Sequence, residues 1–467
     1  MQLYDMASPL DFRYYASHST LFERLKPFVS EYANIQYMLK VEAALVRALS
    51  DVGLCPPETA LEVATACEGI NPEEVYAEEQ RIQHNVRALV NCIRNRVGEQ
   101  AKPYVHLFAT SSDIMDTANA MRYRDLARQA LIPQLVELEK LLIRIARETS
   151  DVIQIGRTHG QHAVPITFGF ALAEYVSRLG NRILTIQAAA DNLRGQISGA
   201  VGAYNAISLI NEEYKFKPDD FERKVLAYLE LKPGDHSTQI VEPEYLTDLA
   251  YAVTSCFSVL ACLADDIRHL ERTEIAEIQE VKGTAQVGSS TMPHKANPKD
   301  FENIKSLWKA FMPRMTTVFM DQLSEHQRDL TNSASARFTM EIMAGFSSAV
   351  DRMTSSMQKI RVNAPNMSRN LESGRDYFIA EALYVLLALN GHPNAHETIR
   401  KLVVQCQEKN SRLSEQIWSQ EDLQPYLDKM SARQKSLLVN PERYTGQAKQ
   451  KAEQVCDIWE EQLGHIA

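Results

Sequence analysis

The apolar residues between Leu246 and Leu270 constrain the fold of this chain most. They recur at steps of three and four residues, so they lie on one face of an α-helix. The series is nearly a coiled-coil seam and consists of Leu246, Leu249, Val253, Phe257, Leu260, Ala264, Ile267 and Leu270. A helix of this length exceeds the typical globular helix of about three turns, so we expect a bundle of long helices.

Other segments extend the same pattern. A second apolar stripe runs from Met340 to Ile360, and Thr117–Asp151, Pro165–Arg194 and Phe301–Glu325 are further helical candidates. Together they predict an all-α fold with a central bundle of long helices. Seams this long also indicate association of several chains through their apolar faces.

Two interruptions divide the chain. Pro103 and the apolar run Tyr104–Phe108 end the first helical region, and Pro365 ends the stripe that begins at Met340. A chain of 467 residues exceeds what a single core normally organises. We predict three domains, an N-terminal helical domain (1–109), the central bundle (110–364) and a C-terminal helical domain (365–467).

Composition excludes several classes of partner. The net charge of −10 and the pI of about 5.7 argue against general nucleic-acid binding, which needs a basic surface. The seven cysteines are scattered without a C-x-x-C pair, which indicates reduced thiols and no zinc site. The N-terminus lacks the apolar core of a signal peptide, and no run approaches the roughly 18 apolar residues of a membrane span. We expect a cytoplasmic protein without a membrane partner.

The stretch GSSTMPHKANP, from Gly288 to Pro298, has the most informative chemistry, and we call it the signature loop. Gly283, Gly288, Pro293 and Pro298 prevent a helix or strand from running through it, although long helical segments flank it. Polar loops on a rigid frame are common sites of catalytic groups. The alternative is a solvated linker, but a linker does not need a lysine, a histidine and an asparagine between two prolines.

Two further polar clusters interrupt the helical pattern. Thr110-Ser111-Ser112-Asp113 precedes a helix expected to start near Thr117, so it predicts an N-cap, and a helix N-terminus also suits an anion. The second cluster, GRTHGQHAVP from Gly156 to Pro165, combines Arg157, His159 and His162 in what we expect to be a tight loop. This combination favours proton transfer. No third ligand has metal-site spacing, so we predict no metal.

Three weaker signals remain. RDLTNSASAR sets Arg328 and Arg337 around hydroxyl groups, which suits a carboxylate or phosphate, although a surface salt-bridge patch would look similar. The pair Arg13-Tyr14 is too short to interpret by itself, and the lone His84 by itself favours a solvated helix residue.

GSSTMPHKANP resembles the signature of the fumarase and aspartase superfamily. TSSDIMDTA, GRTHGQHAVP, STQIVEP and RDLTNSASAR occur in the order that the superfamily has, and the TSSD and RTHGQHA pair most resembles the adenylosuccinate lyase family. The resemblance implies a homotetramer built around long helices, with each active site assembled from three subunits. It also implies release of fumarate by C–N cleavage from adenylosuccinate and from the succinylated aminoimidazole carboxamide ribotide, without a cofactor or a metal.

The same resemblance implies roles for individual residues. Ser290 matches the catalytic base, His159 the acid, and Glu302 the acidic residue that orients the catalytic histidine. Lys295 and Asn297 match the clamp for the substrate carboxylates. The remaining matches are to substrate contacts and comprise Arg13, Tyr14, His84, His106, Thr110, Ser111, Gln239, Arg328, Ser333 and Arg337.

The sequence also departs from the pattern of the family. Phe108 replaces a small residue, Asn85 and Ala336 replace acidic residues, and Thr291 replaces an alanine. These changes bear on substrate preference and not on the acid, base and clamp. Three alternatives stay open, a carboxymuconate cycloisomerase, an argininosuccinate lyase and an inactive structural paralogue. The first usually lacks the histidine that this chain has at His159, and the second carries S-R-N-D in place of TSSD.

Overall fold

A computed structural model describes residues 5–281, 291–292, 294–374 and 376–466. Most of these residues are helical, which confirms the predicted all-α class. The α-helices are α1 (Ser19–Val29), α2 (Glu31–Asp51), α3 (Pro57–Glu68), α4 (Pro72–Ile82), α5 (Asn85–Arg94), α6 (Ser111–Leu126), α7 (Ile132–Glu148), α8 (Phe168–Asp191), α9 (Pro218–Tyr228), α10 (Glu244–Leu270), α11 (Lys299–Phe311), α12 (Arg314–Met320), α13 (Thr339–Met357), α14 (Ala364–Ser373), α15 (Ala380–Leu389), α16 (Ala395–Glu408), α17 (Leu413–Gln416), α18 (Gln424–Leu427), α19 (Ala432–Val439) and α20 (Ala448–Leu463).

Short strands pair two by two. They are β1 (Ile153–Thr158), β2 (Gln161–Thr167), β3 (Arg194–Gly195), β4 (Lys232–Pro233), β5 (Ile278–Glu280) and β6 (Ile360–Val362). The β1–β2 and β5–β6 pairs are antiparallel, and β3–β4 is parallel.

The two longest apolar stripes form helices as predicted. The stripe from Leu246 lies on α10, and the stripe from Met340 lies on α13 as far as Met357. The expectation that this second stripe reaches Ile360 and ends at Pro365 was wrong, because Ile360 belongs to β6 and Pro365 lies in the first turn of α14. By length and composition α10 is the one helix among the described residues that could cross a membrane, but 67% of its most apolar window is buried. Leu249, Val253 and Phe257 are among its buried residues, so α10 has the burial pattern of a core helix.

Three other expectations were wrong in detail. The helix predicted from Thr117 begins at Ser111 and continues through a π-helical turn, Ala127–Leu131, into α7. The segment from Pro165 starts in strand β2, and α8 begins only at Phe168. The segment Phe301–Glu325 is two helices, because Pro313 lies between α11 and α12 and lacks the N–H that a continuous helix needs.

The chain forms two compact units. Unit 1 comprises Met1–Leu135, Asn181–Leu260 and Ser306–Asp351. Within it, α2 packs against α3, α6 and α9. Phe257 of α10 meets Phe346 of α13 edge to face, with ring centroids 5.4 Å apart, and both rings are fully buried.

Unit 2 comprises Val136–Gly180, Ala261–Lys305 and Arg352–Ala467. Its C-terminal helices share an apolar core that includes Ile379, Leu383, Ile399 and Leu427. Here α20 lies so close to α8 that a Cβ atom on Gly180 would stand 2.3 Å from the Trp459 ring. The boundaries between the two units fall within α7, α8, α10, α11 and α13. The three domains predicted along the sequence stay a prediction.

Candidate active site

The N-terminus of α6 is fastened to a neighbouring loop in unit 1. Thr110, the first residue of the run that predicted an N-cap, is the N-cap residue of α6, and its N–H donates to the Asp113 carboxylate at 2.8 Å. The same buried carboxylate accepts from the N–H groups of Ser198 at 3.0 Å and Gly199 at 3.2 Å. Burial raises the pKa of Asp113 to about 6, although these three donors favour its ionised form. Thr110 and Ser111 lie partly exposed beside this anchor.

Gln239 and Arg328 belong to the same cluster. Asp116, on α6, accepts from the N–H of Val241 at 3.1 Å, and the N–H of Gln239 donates to the carbonyl of Gln327 at 3.4 Å. Burial raises the pKa of Asp116 to about 7, opposed by that N–H and by the positive charge of Arg328. The structure therefore brings four predicted site residues together in unit 1, Thr110, Ser111, Gln239 and Arg328.

His106 is held by a buried glutamate. Its Nδ1 lies 2.7 Å from Oε1 of Glu42, which is 0% exposed on α2. Burial alone would lower the pKa of His106. The negative charges of Glu42 and Asp113 have the larger effect, so the pKa of His106 is raised above its usual value. His106 has φ 64° and Phe108 has φ 70°, the left-handed region that most side chains avoid. Among small residues, only glycine would adopt this backbone without the strain that a Cβ atom causes.

His84 lies at the start of α5. It is the N-cap residue, and its Nδ1 accepts from the N–H of Arg87 at 3.2 Å, while most of the side chain is exposed. The adjacent Asn85 reaches Sδ of Met115 on α6 at 3.3 Å. His84 thus lies at an end of α5 that contacts α6.

Four further predicted residues belong to other segments of unit 1. Arg13 and Tyr14 are on a π-helical turn, Leu10–Ala16, and Arg13 is exposed. Ser333 and Arg337 are exposed between α12 and α13. In the part of the chain that the structure describes, no hydrogen bond joins the side chains of Arg13, Ser333 or Arg337 to Thr110, Ser111, Gln239 or Arg328.

His159 occupies the tip of a β-hairpin in unit 2, and the expected tight loop from Gly156 to Pro165 was wrong. Strands β1 and β2 pair up to Thr158 and Gln161, leaving a two-residue turn of His159 and Gly160. Their φ angles are 55° and 76°, positive at both positions as a type I′ turn requires. The turn exposes the His159 side chain.

The base of that hairpin is fastened to Glu277. Arg157 donates to both oxygens of this carboxylate, at 2.6 and 3.1 Å, and Glu277 is 0% exposed. Gln154 and Asn370 donate to it at 2.7 and 2.8 Å. His162 lies beside this pair, and its pKa is lowered by burial and by Arg157. Arg157 is therefore an anchor of the hairpin.

The signature loop is only partly described. Ser290 lies outside the described residues. Lys295 is exposed, Asn297 is partly buried, and Glu302 is exposed in the first turn of α11. Among the described residues, no hydrogen bond or ion pair joins Glu302 to His159, although both belong to unit 2. The pairing of an acidic residue with the catalytic histidine, which the resemblance implies, therefore stays a prediction.

Sequence reasoning missed Glu42, Asp116 and Glu277. The sequence contained one indication of Glu42, which is the single acid in the apolar run VEAALV. An acid in such a run is expected to be buried, and a buried charge needs a partner. The sequence contained no indication of the role of Glu277, because its partners are remote in sequence. Within the described ranges, no three His, Cys, Asp or Glu side chains are grouped as a metal site would require.

Comparison with known proteins connects these clusters to a family. Residues 18–310 match the family model described as Lyase, and residues 324–445 match the model of the adenylosuccinate lyase C-terminal region. Adenylosuccinate lyase of Archaeoglobus fulgidus is 33% identical over 453 residues, which cover 96% of this chain and 97% of the relative. Adenylosuccinate lyase of Pyrococcus abyssi is also 33% identical, covering 97% of this chain and 98% of the relative.

A solved structure agrees with this assignment at the level of the fold. The 3-carboxy-cis,cis-muconate lactonizing enzyme from Pseudomonas putida superimposes with a TM-score of 0.80 at 25% identity, covering 94% of this chain and 97% of that one. The similarity to the adenylosuccinate lyases is higher in identity and includes their C-terminal region. This chain therefore belongs to the adenylosuccinate lyase family of the fumarase and aspartase superfamily.

Proposed function

We propose that this protein cleaves adenylosuccinate to AMP and fumarate. The observation that carries the proposal is the full-length similarity to adenylosuccinate lyases, which includes the C-terminal region characteristic of them. The retained acid, base and clamp residues support an active enzyme over an inactive paralogue. The same site would also accept the succinylated aminoimidazole carboxamide ribotide, because both substrates carry the succinyl-amino group that the reaction divides.

The chemistry demands an acid and a base. A proton next to a carboxylate is removed, negative charge accumulates on the carboxylate, and the departing nitrogen receives a proton. We assign the base to Ser290 and the acid to His159. The turn at His159 and Gly160 supports this assignment, since it presents an exposed imidazole on a hairpin whose base is fastened by Glu277. A serine base needs its pKa lowered, for which nearby cations and amides are suited.

The other residues form three subsites in this proposal. Lys295 and Asn297 would hold the succinyl carboxylates, and Glu302 would orient the catalytic histidine. The unit 1 cluster would bind further anionic groups through hydroxyl, amide and guanidinium donors. Arg13 and Tyr14 would hold the nucleotide phosphate. Besides Arg13 and Tyr14, the substrate contacts assigned in unit 1 are His84, His106, Thr110, Ser111, Gln239, Arg328, Ser333 and Arg337.

We further propose a cytoplasmic homotetramer with active sites shared between subunits. Exposed apolar side chains support association, because Met320, Leu323 and Leu330 of unit 1 are 65%, 75% and 75% exposed. Glu302 and His159 are both exposed, as they would be if a neighbouring copy completed each site. In this proposal the long helices of the predicted central domain (110–364) form the tetramer core.

An absorbance assay tests the reaction. Purified protein should consume adenylosuccinate and release equimolar fumarate and AMP, identified by chromatography. Argininosuccinate and carboxymuconate, supplied in parallel, should be left intact. Turnover of either alternative without turnover of adenylosuccinate would assign the chain to another reaction of the superfamily, and no turnover at all would indicate an inactive paralogue.

A complementation experiment tests the shared site. Two inactive variants, His159→Asn and Ser290→Ala, are mixed under conditions that exchange subunits. If the acid and the base of one site come from different chains, some mixed sites hold both intact residues and activity returns. Mixed oligomers that form and stay inactive would place both residues in one chain.

A further inference from the structure

Glu42 is a buried acid whose partner is a residue of the proposed substrate site. Oε1 accepts a hydrogen bond from Nδ1 of His106 at 2.7 Å, and Oε2 makes no hydrogen bond within the described residues. The Glu42 side chain is 0% exposed, whereas that of His106 keeps 17% exposure. A carboxylate withdrawn from water without a second partner is costly, so its presence here calls for a role.

We propose that Glu42 is a positioning residue, which holds His106 as a cation so that its Nε2–H donates to an anionic group of the substrate. The carboxylate can only accept, so it fixes the proton of the contact on Nδ1 and leaves Nε2 as the ring nitrogen available to a ligand. Carboxylate–imidazole pairs set the orientation and the charge of a histidine in this way. The inference rests on the proposed function for the identity of the anion.

Charges on three helices surround His106. Glu42 on α2 and Asp113 on α6 favour the imidazolium, whereas Arg87 on α5 opposes it. The Asp113 carboxylate accepts its hydrogen bonds from three backbone N–H groups and not from the His106 ring. Among the described residues, Glu42 makes the one direct ion pair with that ring. Removal of the Glu42 charge should therefore change the protonation of His106 more than a change elsewhere in this neighbourhood.

The backbone supports a positioning role as well. His106 lies at φ 64°, a conformation that costs a histidine free energy unless the surroundings hold it there. The contact with Glu42 is 64 residues distant in sequence and ties this strained segment to the core helix α2. Because both the backbone of His106 and its Nδ1 are held in place, the direction in which Nε2 points is fixed.

The test uses Glu42→Gln in the full chain, because glutamine keeps the size and one acceptor oxygen, removes the charge and replaces the second oxygen by an NH2 group. Histidine NMR with ¹³C at Cε1, assigned through His106→Asn, reports the pKa of His106 without any turnover. Loss of a carboxylate in direct contact should lower this pKa by at least about one unit. The KM for adenylosuccinate should then begin to rise at a correspondingly lower pH, with an increase of roughly tenfold where wild-type His106 is still charged.

Matched variants separate this role from a purely structural one. Glu139→Gln makes the same replacement at a buried glutamate that does not contact His106, and it should leave both the His106 pKa and the KM profile unchanged. Glu42→Asp keeps the charge at a shorter reach and should give a His106 pKa between those of the wild type and Glu42→Gln. If the Glu42→Gln variant does not fold, Glu42→Asp still tests whether the Glu42–His106 contact sets the pKa of His106.

A double-mutant cycle shows whether Glu42 acts through His106. In the His106→Asn background, Glu42→Gln should produce no further increase in KM. An equal increase in both backgrounds, or an unchanged His106 pKa in Glu42→Gln, overturns the inference. If the chain does not cleave adenylosuccinate, the proposed function fails, whereas the NMR titration still decides whether Glu42 controls the charge of His106.

Discussion

Arg157 and Glu277 form a two-pronged ion pair that ties the His159 hairpin to the strand preceding the signature loop. The guanidinium donates to the two carboxylate oxygens at 2.6 and 3.1 Å, and Glu277 directly precedes β5. Asn370 of α14 donates to the same carboxylate, so a third element joins the pair. One buried group thereby fixes the base of the hairpin that presents the proposed acid.

Glu277→Gln should destabilise the protein strongly. Neutralising one partner leaves Arg157 with an uncompensated charge at a largely buried site, which costs on the order of 3 kcal/mol. The denaturation midpoint of the purified variant measures this loss. The control Glu397→Gln removes an exposed pair with Arg400 and should leave the midpoint nearly unchanged. Equal midpoints for Glu277→Gln and the wild type would contradict the anchoring role.

His159→Asn should abolish most turnover and preserve the hairpin. Asparagine tolerates the positive φ of this turn position better than alanine, so the variant removes the proton donor without straining the backbone. Loss of a general acid should lower kcat by about 100- to 10,000-fold. Gln161→Ala, at the other side of the turn, serves as the control and should keep its activity. A His159→Asn enzyme with more than a tenth of wild-type kcat would exclude the residue as the acid.

Arg13→Ala should weaken binding of AMP and of adenylosuccinate by about ten- to a hundredfold, because a guanidinium–phosphate contact contributes roughly 1.5–3 kcal/mol. Lysine at this position should restore only part of the affinity, since it lacks the planar fork. Calorimetry with AMP and with fumarate separates the two pockets. Fumarate has no phosphate, so an equal loss of its affinity would show that Arg13 supports the dicarboxylate pocket or the fold.

Glu139→Gln should stabilise the protein, increasingly so at higher pH. Glu139 is fully buried on α7, neither oxygen has a hydrogen-bond partner among the described residues, and burial raises its pKa well above the usual value. Above the unfolded-state pKa of about 4.3, the unfolded chain loses this proton while the folded chain keeps it. Stability therefore falls as pH rises from there towards the folded-state pKa.

Thermal midpoints of wild type and Glu139→Gln between pH 5 and pH 8 measure this effect. The advantage of the glutamine variant should grow across that range, because an amide does not titrate. Glu137→Gln, on an exposed position of the same helix, should show a constant offset. An advantage that shrinks with rising pH would mean that Glu139 is ionised in the folded protein.

Much of this protein could be predicted from local patterns. The stripes on α10 and α13 follow from the helical period alone, because an apolar face of that length must be buried. The family followed from the signature loop and the ordered motifs, which the full-length comparisons confirm. The run from Thr110 to Asp113 predicted an N-cap, but it did not give the first residue of the helix, which is Ser111 and not a residue near Thr117.

The hairpin at His159 could not be read in the same way. Its sequence, GRTHGQH, contains turn residues that suit a loop and a hairpin equally, and the choice depends on pairing between Thr158 and Gln161 and on the Arg157–Glu277 bridge. That bridge spans 120 residues of sequence. Short-range propensity carries no information about a partner so remote.

The sequence by itself therefore determined the fold class and the family, and the resemblance to that family predicted which residues are the acid, base and clamp. Each depends on residue types at short spacing along the chain. Only the tertiary structure decided that Glu42 meets His106, that Asp113 joins α6 to Ser198, and that Glu277 anchors the hairpin. Buried charges obtain their partners from whichever elements pack beside them, so their roles arise from the folded arrangement of the chain.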